Sequence, residues 1–126
     1  MKIPLVLNTI KAGFPSPADD FAENYLDLNE YLIQHPVATF FVKVSGDSMV
    51  NAGIQSGNIL IVDRSASHSN NSIVVAIIEN EFTVKRFKLV NGEPYLFPEN
   101  PNFKPIKLKD QDEIWGVVTS VINKLV

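Results

Sequence analysis

A serine acts as a nucleophile only when a neighbouring group takes its proton. In Val44-Ser45-Gly46-Asp47-Ser48-Met49 an apolar run enters a Gly-Asp turn that delivers Ser48 just beyond it, a corner that exposes a hydroxyl. The plainer reading makes Gly46, Asp47 and Ser48 turn formers and nothing more. Only two histidines are available as bases. His35 falls in the last turn expected of a helix that Pro36 ends, where an imidazole complements the helix C-terminus. His68 lies in the polar stretch Ser65-Ala66-Ser67-His68-Ser69-Asn70-Asn71, which reads as a surface loop. Neither context holds an imidazole rigidly, which counts against a Ser-His-Asp triad.

Lysine is the better base. In Glu81-Phe82-Thr83-Val84-Lys85-Arg86-Phe87, strand alternation puts Thr83, Lys85 and Phe87 on one face and Phe82, Val84 and Arg86 on the other, so Lys85 points inward. An exposed lysine needs roughly 4.6 kcal/mol to be neutral at pH 7 and cannot serve. Burial lowers a lysine by up to about 3 to 5 pKa units and leaves a useful fraction of free amine. Lys43, between Val42 and Val44, is a rival of the same kind, and periodicity does not choose between the two.

The elements that must position these groups are mostly strands. Residues 1–18 carry three prolines and no sustained period and read as an extended N-terminal arm, loosest at Lys11-Ala12-Gly13-Phe14-Pro15-Ser16-Pro17. Residues 19–126 form the remaining domain. Within it, Phe21, Tyr25, Leu28 and Leu32 fall on one helical stripe over 19–34. Ser16 or Asp19 caps that helix early, or Asp27 with Glu30 three residues on starts a shorter one at Leu28. After Pro36, the segments 37–45, 59–63, 73–79, 81–89, 95–97, 104–108 and 114–121 are short, β-branched or aromatic, and separated by Gly, Asn, Pro and Ser. The expected fold is mainly β with one short N-terminal helix. Asn80 marks a tight hairpin, Asn91-Gly92 a type I′ turn, and the apolar run from Trp115 a buried closing strand.

Composition bounds the partners. The 126 residues, 45% hydrophobic, exclude a disordered chain and suit a single domain. Fourteen acids against eleven bases give a net charge of −3, the wrong sign for a broad phosphate-binding face, so direct sequence-specific DNA binding is not expected. The absence of cysteine excludes disulfides, thiol catalysis and thiolate zinc sites, and two histidines leave little for a metal; no cofactor is expected. Pro4 and Asn8 break the N-terminal apolar run too early for a secretory signal, and nothing approaches a membrane span, so a cytoplasmic chain is expected.

Four blocks in order and spacing then carry a resemblance: Ser45-Gly46-Asp47-Ser48-Met49, Gly57-Asn58-Ile59-Leu60-Ile61-Val62-Asp63, Ile73-Val74-Val75-Ala76, and Phe82-Thr83-Val84-Lys85-Arg86. The chain resembles the LexA and UmuD family of self-cleaving Ser-Lys proteins from about residue 12 to about residue 122. It is closest to the UmuD branch, through Phe14-Pro15-Ser16-Pro17-Ala18 and Asp27-Leu28-Asn29 as well. The pattern departs where the family often has Gly-Asp and this chain has Gly57-Asn58 and Asn71-Ser72. The resemblance implies the family's twisted, curved antiparallel sheets, Ser48 as nucleophile, Lys85 as general base and Ala12-Gly13 as the bond cut. Lys43 then falls to a structural role. Backbone N–H groups of Ser48 and Met49 are the natural oxyanion donors at such a corner.

The resemblance further implies stimulation by the RecA nucleoprotein filament on single-stranded DNA during the SOS response. It also implies a homodimeric product that joins a UmuC-type Y-family polymerase for translesion synthesis. Only 12 residues precede Gly13, too few for the DNA-binding module of a LexA-like repressor. A non-catalytic β-rich adaptor and a RecA-competing regulatory protein are the rival readings.

Overall fold

β-branched and aromatic residues crowd the chain after Pro36, and there they pair into one antiparallel sheet, seen in a computed structural model that describes residues 1–6 and 24–126. The chain divides into two compact units, Met1–Gln34 and His35–Val126. The boundary expected between residues 18 and 19 lies outside the described residues, as does the Ala12-Gly13 bond.

In the first unit, strand β1 (Ile3–Pro4) pairs antiparallel with β2 (Tyr25–Leu26), and helix α1 spans Leu28–Leu32. Of the two starts the sequence allows, the shorter helix at Leu28 is the one formed, because Tyr25 and Leu26 are extended. Asp27 sets the start: its backbone is extended and its carboxylate accepts the Asn29 N–H at 3.0 Å, the N-cap arrangement. Phe21 lies outside the described residues. His35 falls beyond the helix rather than in its last turn, and leads into a short 3-10 turn, Pro36–Ala38.

The second unit holds β3 (Thr39–Lys43), β4 (Ile59–Asp63), β5 (Ile73–Ile78), β6 (Glu81–Val90), β7 (Glu93–Phe97), β8 (Ile106–Lys107) and β9 (Glu113–Ile122). Their order in the sheet is β3-β4-β9-β5-β6-β7-β8, every neighbouring pair antiparallel. The C-terminal strand β9 is thus central, wedged between β4 and β5. The β5–β6 hairpin turns through Glu79 and Asn80 and the β6–β7 hairpin through Asn91 and Gly92, each pair at positive φ, the type I′ geometry that matches strand twist. Ladder irregularities at Ile61/Val62 and Val75/Ala76, where β9 meets β4 and β5, bend the sheet.

Alternation on β5 then feeds two apolar clusters. Val74 and Ala76 pack with Phe87 and Leu96, while Val75 packs with Leu60, Val62, Val44, Met49 and Ile54. Met49 and Ile54, each 1% exposed, flank the turn that carries Ser48, so the corner is bolted to the core by its neighbours. Among the described residues no helix is long and apolar enough to cross a membrane.

Candidate active site

Strand β3 ends at Lys43, and the chain turns through Gly46, whose φ of 94° lies in the left-handed region that suits glycine. The amide of Gly46 donates to Ser56 Oγ at 3.2 Å. A tight turn follows in which the Val50 N–H donates to the Asp47 carbonyl at 3.2 Å, leaving Ser48 half-buried at its crest while the Met49 side chain drops into the core.

A second segment braces this turn from behind. Glu99 N–H donates to the Ser48 carbonyl at 2.8 Å, and Asn51 N–H donates back to the Glu99 carbonyl at 2.9 Å. The buried Asn100 side chain donates from Nδ2 to the Asp47 carbonyl at 3.0 Å and accepts Asn102 N–H on Oδ1 at 3.0 Å. Arg86 ties the same segment to β6 through an ion pair with Glu99 and donates to the Asn71 carbonyl.

Lys85 comes to the turn from the middle of β6. It pairs across the sheet with the fully buried Val74, and its residue is 8% exposed. Its Nζ lies 3.0 Å from Ser48 Oγ, 2.9 Å from Thr83 Oγ1 and 3.2 Å from the Val84 carbonyl. Burial among apolar strands disfavours the ammonium and pushes Lys85 below the ordinary lysine value of 10.5. Among the described residues its partners are two hydroxyls and a carbonyl, and no carboxylate bonds to it.

The structure therefore brings Ser48 and Lys85 together and keeps the other bases elsewhere. Lys43 is exposed at the end of β3 and lines the cleft without bonding to Ser48. His35 donates from Nδ1 to Asp63 Oδ2, and the His68 ring meets Phe87 edge-on at 4.7 Å. Thr83 was visible in the sequence as a residue on the face of Lys85, but its hydroxyl had no reason to be singled out there. Asn100 carried no signal at all: an Asn beside Pro101 reads as an ordinary turn.

In front of the pair is a cleft of about 200 Å³. Val42, Leu60, Val75 and Phe82 give it apolar walls, and Ser48 and Thr83 give it polar ones. Among the described residues strand β3 is the edge of the sheet beside it, so its outer backbone groups can pair with an extended chain. A hydroxyl bonded to a desolvated amine at the mouth of a small cleft is equipped for acyl transfer. The turn positions Gly57-Asn58 and Asn71-Ser72 are hydrogen-bonded: Asn58 is buried, accepts Gln55 N–H at 2.9 Å and donates to Asn123 Oδ1 at 3.1 Å, while Ser72 Oγ accepts Ser69 N–H at 3.0 Å.

Comparison with known proteins bears on this arrangement. A family model described as Peptidase S24-like matches residues 4–119. The chain is 51% identical over 121 residues to Protein MucA of Salmonella typhimurium, covering 93% of this chain and 82% of that one. Protein ImpA of the same organism is 47% identical over 123 residues, covering 96% and 83%. The LexA repressor of Clostridium perfringens is 39% identical over 124 residues, which span 98% of this chain but 57% of the repressor.

Proposed function

The chain belongs to the Peptidase S24-like family, that of the LexA and UmuD proteins, and from that membership we propose that it cleaves its own Ala12-Gly13 bond with Ser48 as nucleophile and Lys85 as general base. The observation that carries this reading is the 3.0 Å approach of Lys85 Nζ to Ser48 Oγ at a lysine 8% exposed.

Neutral Lys85 accepts the Ser48 hydroxyl proton as Oγ bonds to the Ala12 carbonyl carbon. The resulting tetrahedral oxyanion is held by the backbone N–H groups of Ser48 and Met49. As it collapses, the C–N bond to Gly13 breaks and Lys85 returns the proton to the departing amine. Water, deprotonated by the again neutral Lys85, then attacks the Ser48 ester, and as the ester C–O bond breaks Lys85 returns the proton to Ser48 Oγ and residues 1–12 leave. Ala12 and Gly13 suit the small cleft, because short side chains let an extended backbone lie close to the outer edge of β3. Substrate and catalyst share a chain, so a tethered arm presents its bond at roughly millimolar effective concentration, in cis or between subunits, and no pocket for outside substrates is needed.

Docking the arm excludes water from Lys85 and is the step open to control. In this reading the RecA nucleoprotein filament on single-stranded DNA favours the docked arm during the SOS response. The processed homodimer then joins a UmuC-type Y-family polymerase in translesion synthesis. Intact mass against time, with and without activated RecA, for the wild type and Lys85→Ala, tests the whole. Loss of a 12-residue peptide from the wild type alone, faster with RecA, is expected; an unchanged mass after prolonged alkaline incubation overturns it.

A further inference from the structure

We infer that Asn100 is a positioning residue for the reaction, one that aims the Ser48 amide into the cleft as an oxyanion donor. The inference rests on the Ser48-Lys85 reading above. It starts from the planarity of the peptide unit, in which a trans C=O and the following N–H point in opposite directions.

Asn100 Nδ2 holds the Asp47 carbonyl at 3.0 Å, so the Ser48 N–H on the same peptide points away from Asn100. Glu99 N–H holds the Ser48 carbonyl at 2.8 Å, so the Met49 N–H likewise points away from this segment. Two consecutive carbonyls are thus drawn to the brace formed by Glu99 and Asn100, and two consecutive amides are turned to the other side. Neither amide donates to a backbone carbonyl among the described residues. The cleft is lined by Ser48, Thr83 and Val84 and not by Glu99 or Asn100, which places the brace behind the turn and the open side toward the substrate. Met49 has φ −120° and ψ 21°, close to what position i+2 of the Asp47–Val50 turn takes.

Asn100 is suited to this task. It is 9% exposed, and its Oδ1 is fixed by Asn102 N–H at 3.0 Å, which orients the carboxamide and leaves Nδ2 as the donor. The Asp47 carbonyl also accepts the Val50 N–H. Without Asn100 that 3.2 Å bond alone holds the first peptide of the turn. Asn100 makes no bond to Lys85 or to the Ser48 side chain, so its effect on rate separates from any effect on the base.

The test is the pH–rate profile of self-cleavage in the full chain, followed by intact mass, for the wild type, Ser48→Ala, Asn100→Ala and Asn100→Asp, with melting curves for each. Asn100→Asp keeps an oxygen for Asn102 and replaces the donor by an acceptor facing the Asp47 carbonyl. The plateau rate of Asn100→Ala should fall about 10- to 100-fold with the midpoint of the profile unchanged, and Asn100→Asp should fall at least as far. If the wild type cleaves through Ser48 and Asn100→Ala stays within about twofold of it, or loses rate only by a shifted midpoint, the inference is overturned and the Ser-Lys reading survives. If the wild type sheds no peptide at any pH, that reading falls and takes the inference with it. Should neither variant show a melting transition, the structure of the wild type with a peptide boronic acid ending in alanine on Ser48 decides. A boronate oxygen about 3 Å from the Ser48 amide, with the Asp47 carbonyl on Asn100, is expected, and an oxygen turned away from that amide overturns it.

Discussion

Thr83 and Lys85 stand two residues apart on one face of β6, with Oγ1 2.9 Å from Nζ. An ammonium has three N–H donors, and this one has three acceptors within reach: Thr83 Oγ1, Ser48 Oγ and the Val84 carbonyl. A neutral amine has two N–H donors and one lone pair. With Thr83 and Val84 taking the two donors, the lone pair is left facing the Ser48 hydroxyl, which then donates to it. In the proposed mechanism Thr83 thereby orients the amine, but it also stabilises the ammonium, since hydrogen bonds to a charged donor are the stronger ones.

Thr83→Val should separate these two effects. Removing the acceptor weakens the charged form more than the neutral one, so the midpoint of the cleavage profile should move to lower pH. The lone pair loses its fixed direction, and the plateau rate should drop roughly tenfold, equivalent to about 1.4 kcal/mol. Cleavage rates from pH 6 to 11 give both numbers; a plateau equal to that of the wild type would show that Val84 alone suffices.

Lys85 itself sets the wider pH dependence. Its pKa is lowered from 10.5 by burial, so the rate of self-cleavage should climb with pH with its midpoint below 10.5. Stability moves in the same direction. Between the folded and unfolded pKa values the unfolded chain binds the extra proton, and stability therefore rises with pH across that window and is lowest below it, where the ammonium is buried. Lys85→Met should lower the cleavage rate about 10²- to 10⁴-fold and flatten the alkaline rise in melting temperature. A wild-type melting temperature that falls steadily from pH 8 to 10 would contradict this placement of the lysine.

The strands were legible because β-branched and aromatic residues crowd short runs between turn formers. Residues 59–63 fold as the pattern dictates, and the hairpins at Asn80 and Asn91-Gly92 take the turn type those residues favour. Of the two helix starts the sequence allows, the shorter one at Leu28 capped by Asp27 is formed, and the longer stripe fails because Tyr25 and Leu26 pair with Ile3 and Pro4 instead. A short apolar spacing does not reveal a strand partner more than twenty residues away. Alternation also sent Lys85 inward, but the choice of Lys85 over Lys43 needed either the family resemblance or the sheet order that brings β6 to the serine turn. Asn100 was invisible for the same reason: its partner, the Asp47 carbonyl, is a backbone atom 53 residues away.

Gly116 tests the packing of the central strand. It sits on β9 opposite Val75, and a Cβ there would lie 2.6 Å from Val62 Cγ1, closer than real Cβ contacts come. Val62 is fully buried on β4 and has no space to withdraw into. Gly116→Ala should therefore destabilise the fold by about 1 to 3 kcal/mol, the usual range for forcing a methyl into a filled core. Urea unfolding measures it directly, and an unchanged midpoint would mean that β4 and β9 separate more easily than their ladder implies.

At the end of β4 the buried Asp63 holds two groups at once. Its Oδ2 accepts from His35 Nδ1 at 2.5 Å, and its Oδ1 accepts both the Ser65 N–H at 2.8 Å and the Ser65 hydroxyl at 2.7 Å. The hydrogen bond from His35, reinforced by Ser65, lowers its carboxyl from 3.8 to about 2. Because the folded value lies below the unfolded one, this stabilisation is present above about pH 4 and disappears as pH falls toward 2. Asp63→Asn retains an oxygen for Ser65 but removes the charge that His35 faces. At pH 7 the variant should lose about 1 to 2 kcal/mol, and the gap to the wild type should close on acidification through that window. Neither His35 nor Asp63 bonds to Ser48 or Lys85, so the rate of self-cleavage near the plateau should stay within about twofold of the wild type. Urea midpoints at pH 7, 4 and 2 provide the measurement, and a stability gap that persists unchanged at pH 2 would place the acid sensitivity of the fold on other carboxylates.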